Sequence, residues 1–226
     1  MQLDDVVVLG RTFAEYCEYF RLPQERIASE RILDMGAGVS AFCAEAAAVG
    51  CDVTAVDPIY GARAEDIRSK ARDDLREVFR QLPGVAHNYN WTFYRNPDEL
   101  RARREAALAR FVRDFSGDRR RYVAASLPDA PFRDNAFTLS LVSHLLFLYE
   151  DILDYEFHKA GILELARITA GEIRIYPLTN LKAMRSSFVE RLIQDDDCSR
   201  LKFEVVRIDF SFVKNSNELL VVRKSK

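Results

Sequence analysis

Apolar positions along the chain switch between a helical and a strand period, and the switches mark the elements. Phe13, Tyr16, Tyr19 and Phe20 recur at helical spacing over 11–21, and Pro23 ends that helix. Arg31-Ile32-Leu33-Asp34 reads as a short strand running into a glycine loop. Alanine dominates from Ser40 to Val49, which predicts a helix closed by Gly50. Asp52 to Asp57 is a β-branched stretch that predicts a second strand with an acid at its end. Strand, glycine loop, helix and strand form one βαβ unit, right-handed and with parallel strands.

Residues 61–121 break this rhythm. Helices are predicted over Arg63–Leu82 and Asp98–Phe115, on either side of the aromatic run His87-Asn88-Tyr89-Asn90-Trp91-Thr92-Phe93-Tyr94. A βαβ crossover needs only about 30 residues in all, so the segment reads as an insertion over one end of the sheet. The α/β pattern then resumes with a strand at 122–125. A nearly continuous apolar run follows from Ala136 to Leu148 and begins as a buried parallel strand. A helix over Leu153–Ile168 ended by Gly171, a strand over Glu172–Tyr176 and a helix over Leu181–Ile193 come next. Strands at Phe203–Val213 and Glu218–Arg223 are joined by a turn at Asn215-Ser216-Asn217, so the last strand should be antiparallel. The expected architecture is a single α/β domain over 1–226. It is a three-layer sandwich with a seven-stranded, mostly parallel sheet, an antiparallel C-terminal strand and a helical insertion after strand two.

Composition narrows the classes. The 226 residues are 48% hydrophobic and 30% charged, which suits a packed globular core. A net charge of -2 does not support a general nucleic-acid binder. Val6-Val7-Val8-Leu9 is too short for a signal-peptide core, and no apolar run approaches the roughly 18 residues of a membrane span. Cys17, Cys43, Cys51 and Cys198 form no C-x-x-C pair, so neither a metal site nor a disulfide framework is expected. Reduced thiols in a cytoplasmic protein are the simplest reading.

The chemistry concentrates at Asp34-Met35-Gly36-Ala37-Gly38. Two glycines let the backbone turn sharply and approach a ligand closely. Asp57, 21 positions after Gly36, ends the next strand, where a carboxylate accepts from both hydroxyls of a ribose. With Ala41 as a third small residue, NAD competes as the cofactor. Against NAD, Asp34 would repel a pyrophosphate but suit an ammonium group, and the chain has little room for two nucleotide-binding halves.

Ile32-Leu33-Asp34-Met35-Gly36-Ala37-Gly38 followed by Val53-Thr54-Ala55-Val56-Asp57-Pro58 resembles the first two strands of class I S-adenosylmethionine (SAM) dependent methyltransferases. The stretch Leu127-Pro128-Asp129-Ala130-Pro131-Phe132-Arg133-Asp134-Asn135-Ala136-Phe137 is similar to that family's segment before strand four. The resemblance covers 31–58 and 122–223. It implies that Gly36, Ala37 and Gly38 line the methionine part of SAM, that Asp34 faces its ammonium, and that Asp57, with Pro58 beside it, holds the ribose. Ser126 and Leu127 would flank the adenine, and Ser143 and His144 would lie near the sulfonium. Many members carry Asp where this chain has Ser126; Thr138 and Ser40 also depart from the family pattern.

Methyl transfer from SAM is an in-line displacement, so the enzyme mainly holds the nucleophile aligned. His144 is the candidate base. His158 falls within a helix, where pairing with Asp154 is the structural reading. His87 lies in the aromatic insertion. Tyr89, Trp91, Phe93 and Tyr94 either line a substrate wall or dock the insertion, with docking favoured. The segment 61–121 carries 15 Lys/Arg against 10 Asp/Glu, which reads as a solvated helical face before it reads as an RNA surface. The leading function is methylation of a small molecule under a lid formed by 61–121. The alternatives are an RNA or protein acceptor and a non-catalytic module of the same fold.

Overall fold

The structure, a computed structural model, describes Leu3 and residues 5–225. Seven strands build one sheet: β1 (Arg31–Met35), β2 (Asp52–Val56), β3 (Tyr122–Val123), β4 (Phe137–Ser143), β5 (Thr169–Tyr176), β6 (Leu201–Arg207) and β7 (Glu218–Lys224). Their order is β3-β2-β1-β4-β5-β7-β6. Six strands run one way, and β7 runs against both its neighbours.

Strand alternation splits the core into two layers. Ile32, Val53, Ala55, Leu139, Leu141, Leu219 and Val221 face α1 (Phe13–Phe20), α3 (Phe42–Ala48), α4 (Ala64–Val85) and α5 (Pro97–Gly117). Leu33, Met35, Val56, Val142, Ile173, Ile175, Leu220 and Val222 face α6 (Tyr155–Ile168) and α7 (Ser187–Gln194). The short α2 (Gln24–Ile27) links α1 to β1. The three-layer α/β sandwich expected from the sequence is therefore present.

Several boundaries differ from the sequence reading, each for a local reason. Gly171 lies inside β5 and does not end a helix; a Cβ there would sit 2.2 Å from the Thr138 carbonyl oxygen, where β4 and β5 approach at a register shift. The helix expected from Leu181 begins only at Ser187. Asn180 Oδ1 accepts from Lys182 and Met184 amides, Ala183 is left-handed, and Ser186 caps the helix through the Phe188 amide. β6 stops at Arg207, because Ile208, Phe210 and Phe212 turn inward to join the first core layer. The connection to β7 is thus far longer than a tight hairpin turn.

The segment at 61–121 holds a pair of long helices, α4 and α5. α4 buries Ile67, Ala71, Leu75, Val78, Phe79 and Leu82 on one stripe. α5, capped by Asn96, buries Leu100, Ala107, Leu108, Phe111, Val112 and Phe115. The loop between them docks on 208–217. The Asn90 amide donates to the Phe212 carbonyl at 2.7 Å, and the Lys214 amide donates to that of Asn88 at 2.8 Å. Among the described residues no helix is long and apolar enough to cross a membrane, and all four cysteines are free thiols.

Candidate cofactor and substrate site

β1 delivers the chain into a loop that only small residues can form. Gly36 and Gly38 have φ of 70° and 54°, in the region that favours glycine. A Cβ on Gly36 would lie 2.5 Å from Leu145 Cδ2. The Gly36 and Ala37 amides donate to the Val56 carbonyl at 2.8 and 3.1 Å. The Gly38 amide donates to Asp57 Oδ2 at 2.9 Å, and the Tyr60 hydroxyl donates to the Gly38 carbonyl at 2.7 Å. The loop is thus fixed by its own neighbours, and what it offers a ligand is close approach.

Two acids flank it. Asp57 is 8% exposed and also accepts from the Ile59 amide at 3.1 Å, capping the turn that begins at Pro58. Asp34 is fully buried beneath the loop. Its Oδ1 accepts from the Tyr16 hydroxyl at 3.0 Å, and its Oδ2 is buried without a partner among the described residues. Burial pushes the Asp34 carboxyl up to about 7, with the Tyr16 hydrogen bond opposing and the Asp57 charge adding to the rise. Burial also raises Asp57, against the two amide hydrogen bonds. An ionised pair in this setting favours a cationic group beside it.

Two cavities meet above the loop. One, of about 40 Å³, is bounded by Gly36, Ala37, Gly38, Asp57 and Ser143, with Val6–Leu9 lying across it. The other, of about 130 Å³, is walled by Tyr19, Phe79, Tyr89, Tyr176, Phe210 and Phe212. Val7, Leu9, Arg11 and His144 border both. His144 has φ 54° and donates its amide to the Tyr176 carbonyl at 2.7 Å. Its Nδ1 pairs with Ser143 Oγ at 2.9 Å, and its ring packs edge-on to Tyr19 and Tyr176.

Burial holds the His144 imidazole well below its usual pKa, with the Arg11 and Arg104 charges pushing the same way. The unfolded chain takes up this proton near pH 6.5 and the folded chain does not, so acidification below that point favours unfolding through His144. The imidazole is therefore neutral at neutral pH. NMR should show its neutral-form shifts unchanged on titration through about pH 6.5; a protonation step there would contradict the buried, Ser143-paired geometry.

Over 225 residues, and 99% of both chains, this sequence is 38% identical to the uncharacterized protein MJ0045 of Methanocaldococcus jannaschii. The chain belongs to the family of that protein. No family model matches it. Among solved structures it is similar to a SAM-dependent methyltransferase from Methanosarcina mazei, at 11% identity over 88% of this chain and 93% of that one, TM-score 0.45. It is similar to one from Aquifex aeolicus, at 14% identity over 92% and 90%, TM-score 0.41. It is also similar to the magnesium protoporphyrin IX methyltransferase of Synechocystis with bound SAM, at 12% identity over 89% and 73%, TM-score 0.45. In its own topology, a βαβ glycine-loop unit in a sheet whose β7 alone is reversed, this member of the MJ0045 family has the class I SAM-dependent methyltransferase fold.

Of the residues singled out in the sequence, Gly36, Ala37, Gly38, Asp57, Ser143 and His144 come together around one cavity. Asp34 lies behind the loop, and Pro58 is exposed beside Asp57. Ser126 is exposed and bridges to Asp129, while the Leu127 side chain is buried against Gly161 in the second core layer. Tyr89 lines the larger cavity, whereas Trp91, Phe93 and Tyr94 pack against Phe210 and Phe212. His158 Nδ1 pairs with the Asp154 backbone carbonyl at 2.7 Å, not its carboxylate, and His87 is exposed. Among the described residues no three His, Cys, Asp or Glu side chains gather as metal ligands.

Four residues of the site were not anticipated: Arg11, Glu15, Tyr60 and Arg104. Glu15 and Arg104 form an ion pair at 2.6 Å, with Glu15 wholly buried. The signals were present in part, because Thr12-x-x-Glu15 is a capping box and Arg104 interrupts the apolar stripe of α5.

Proposed function

We propose that this chain is a SAM-dependent methyltransferase acting on a small molecule, with the insertion at 61–121 as its lid. One observation carries the reading: the glycine-loop cavity, lined by Asp57, shares Arg11 and His144 with an aromatic cavity roofed by α4 and α5. The residues present fit the cofactor. The unpartnered Asp34 Oδ2 beneath the loop suits an ammonium, left-handed Gly36 and Gly38 let the backbone approach the methionine portion closely, and Asp57 suits a ribose. Bound SAM supplies the electrophilic methyl. Ligand clefts of this kind run to roughly 300 Å³ or more, so Val6–Leu9 lies elsewhere in the bound state. The acceptor is held in the aromatic cavity, where neutral His144 is placed to take a proton if the acceptor atom carries one.

An RNA acceptor is the second reading. Arg68, Arg72, Arg76, Arg101 and Arg113 face one groove between α4 and α5, with Glu105 the acid among its lining. That groove shares no lining residue with the two cavities, which favours the small-molecule reading. Calorimetric titration with SAM, S-adenosylhomocysteine and NAD tests the cofactor, and SAM and S-adenosylhomocysteine are expected to bind. NAD binding in their place would overturn the proposal. A salt-dependent gel shift with tRNA fragments would move the acceptor to RNA.

A further inference from the structure

The polar chemistry of the aromatic cavity is one-sided. Among the described residues its charged lining residues are Arg11 and Arg104, and no carboxylate lines it. Arg104 is satisfied: it bonds Glu15 at 2.6 Å, the Tyr94 hydroxyl at 2.9 Å and the Gly10 carbonyl at 3.1 Å. Arg11 is not. Its Nη1 donates to the Leu9 carbonyl at 2.9 Å, its Nε is buried without an acceptor, and it makes no ion pair among the described residues. A buried donor left without an acceptor keeps its desolvation penalty, the more so when charged, so the arrangement is poor as mere structure. Its backbone, by contrast, is held firmly. The Arg11 carbonyl accepts from Ser40 Oγ at 3.0 Å and the Ala41 amide at 2.8 Å, at the start of α3. The backbone that carries the guanidinium is therefore anchored independently of Val6–Leu9.

We propose that Arg11 is the carboxylate anchor of the acceptor site, and that the acceptor is a small aromatic or apolar carboxylic acid. Its ring lies among Tyr19, Tyr89, Tyr176 and Phe212, and its carboxylate pairs with the guanidinium. That it is the methyl acceptor rests on the function proposed above. The volume suits the class: cavities of about 150 Å³ hold a benzene-sized ring, and this one is about 130 Å³. A phosphate would bring a second charge for which no further unpaired cation lines the cavity among the described residues.

Arg11 also borders the glycine loop, where a cofactor carboxylate is a second source of the same chemistry. The surroundings favour the acceptor. Burial raises the hydroxyls of Tyr19, Tyr89, Tyr149 and Tyr176 and the Arg11 charge opposes that rise; all four line the aromatic cavity, against Tyr16 alone at the loop.

The test is calorimetry on the full chain without cofactor. The probes are benzoate, phenylacetate and hydroxybenzoates beside their amides, titrated into wild type, Arg11→Met and Arg11→Lys, with S-adenosylhomocysteine run in parallel. The acids should bind wild type and lose roughly 10- to 100-fold in Arg11→Met, with Arg11→Lys between and the amides unchanged. Arg11→Met should melt no lower than wild type, since it removes an unpaired buried donor. Acids and amides binding alike, no acid binding at all, or Arg11→Met weakening S-adenosylhomocysteine but not the acids would each overturn the proposal. Arg11-dependent acid binding in a protein that ignores S-adenosylhomocysteine would uphold the anchor and remove the methyltransferase reading instead.

Discussion

Replacing Arg104 by Met should lower the melting temperature by roughly 10 °C, since unpairing a buried charge costs about 3–5 kcal/mol and each kcal/mol is about 2–4 °C at this chain length. The reason is Glu15, which is 0% exposed and works in three places at once. Its Oε2 accepts from the Thr12 amide at 2.8 Å and closes the capping box of α1. Its Oε1 accepts from Arg104 of α5, from Tyr19 at 3.0 Å and from Tyr94 of the insertion loop. Without Arg104 that carboxylate keeps its desolvation and loses its counter-charge.

The same network sets an acid limit. Burial acts to raise the Glu15 carboxyl, but the Arg104 charge and the hydrogen bonds from Tyr94, the Thr12 amide and Arg104 outweigh it and hold the group at about 2. A depressed folded pKa means stability that is present above the unfolded value of about 4.5 and lost as pH falls from there toward 2. Calorimetry at neutral pH and near pH 4 should therefore find the wild type weakened in acid and Arg104→Met weakened less. Equal acid sensitivity in both would show that Glu15 is not held ionised by Arg104. A double variant, Glu15→Leu with Arg104→Met, should recover part of the loss, because an apolar pair leaves no buried charge.

This network also marks where the sequence stopped being legible. The βαβ unit was readable because its signals are local: a β-branched run, two glycines at fixed spacing and an acid at each strand end. The reversal of β7 was expected from the turn residues before it, although the connection is far longer than that turn. Non-local contacts were not. Glu15 and Arg104 are 89 positions apart, and each alone reads as an ordinary surface charge. Tyr60 was hidden in the same way, since its bond to the Gly38 carbonyl depends on Phe111, Phe115 and Tyr122 packing around its ring. The strand expected through Val213 failed because its alternating Phe210 and Phe212 answer to aromatic partners in the insertion, not to a neighbouring strand. The helix expected at Leu181 failed because one asparagine side chain, at Asn180, supplied the backbone with a competing turn. Arg11 is the instructive case: the sequence shows only a lone arginine before a helix, while the fold places it between two cavities without a counter-charge among the described residues.

Asp57→Ala should weaken S-adenosylhomocysteine binding by roughly 100-fold or more, since hydrogen bonds to a charged group are worth about 1.5–3 kcal/mol each and a ribose presents two hydroxyls. The carboxylate sits at the end of β2 with each oxygen already oriented by one amide, from Gly38 at 2.9 Å and from Ile59 at 3.1 Å. Asp57→Asn keeps the size and one acceptor, so its loss should be smaller. Melting should fall only modestly in either variant, because burial already opposes the charged form of Asp57. Asp34 adds a second readout. Its carboxyl, pushed up to about 7 by burial, must ionise to receive an ammonium. Affinity for S-adenosylhomocysteine should therefore rise with pH through about 7 and release a proton on binding, which calorimetry in buffers of different ionisation enthalpy measures directly. Removing the ammonium partner by Asp34→Asn should flatten that profile while leaving the Asp57 effect in place. A profile that stays steep in Asp34→Asn would assign the titration to another group, and unchanged binding in Asp57→Ala would remove the ribose from this end of β2.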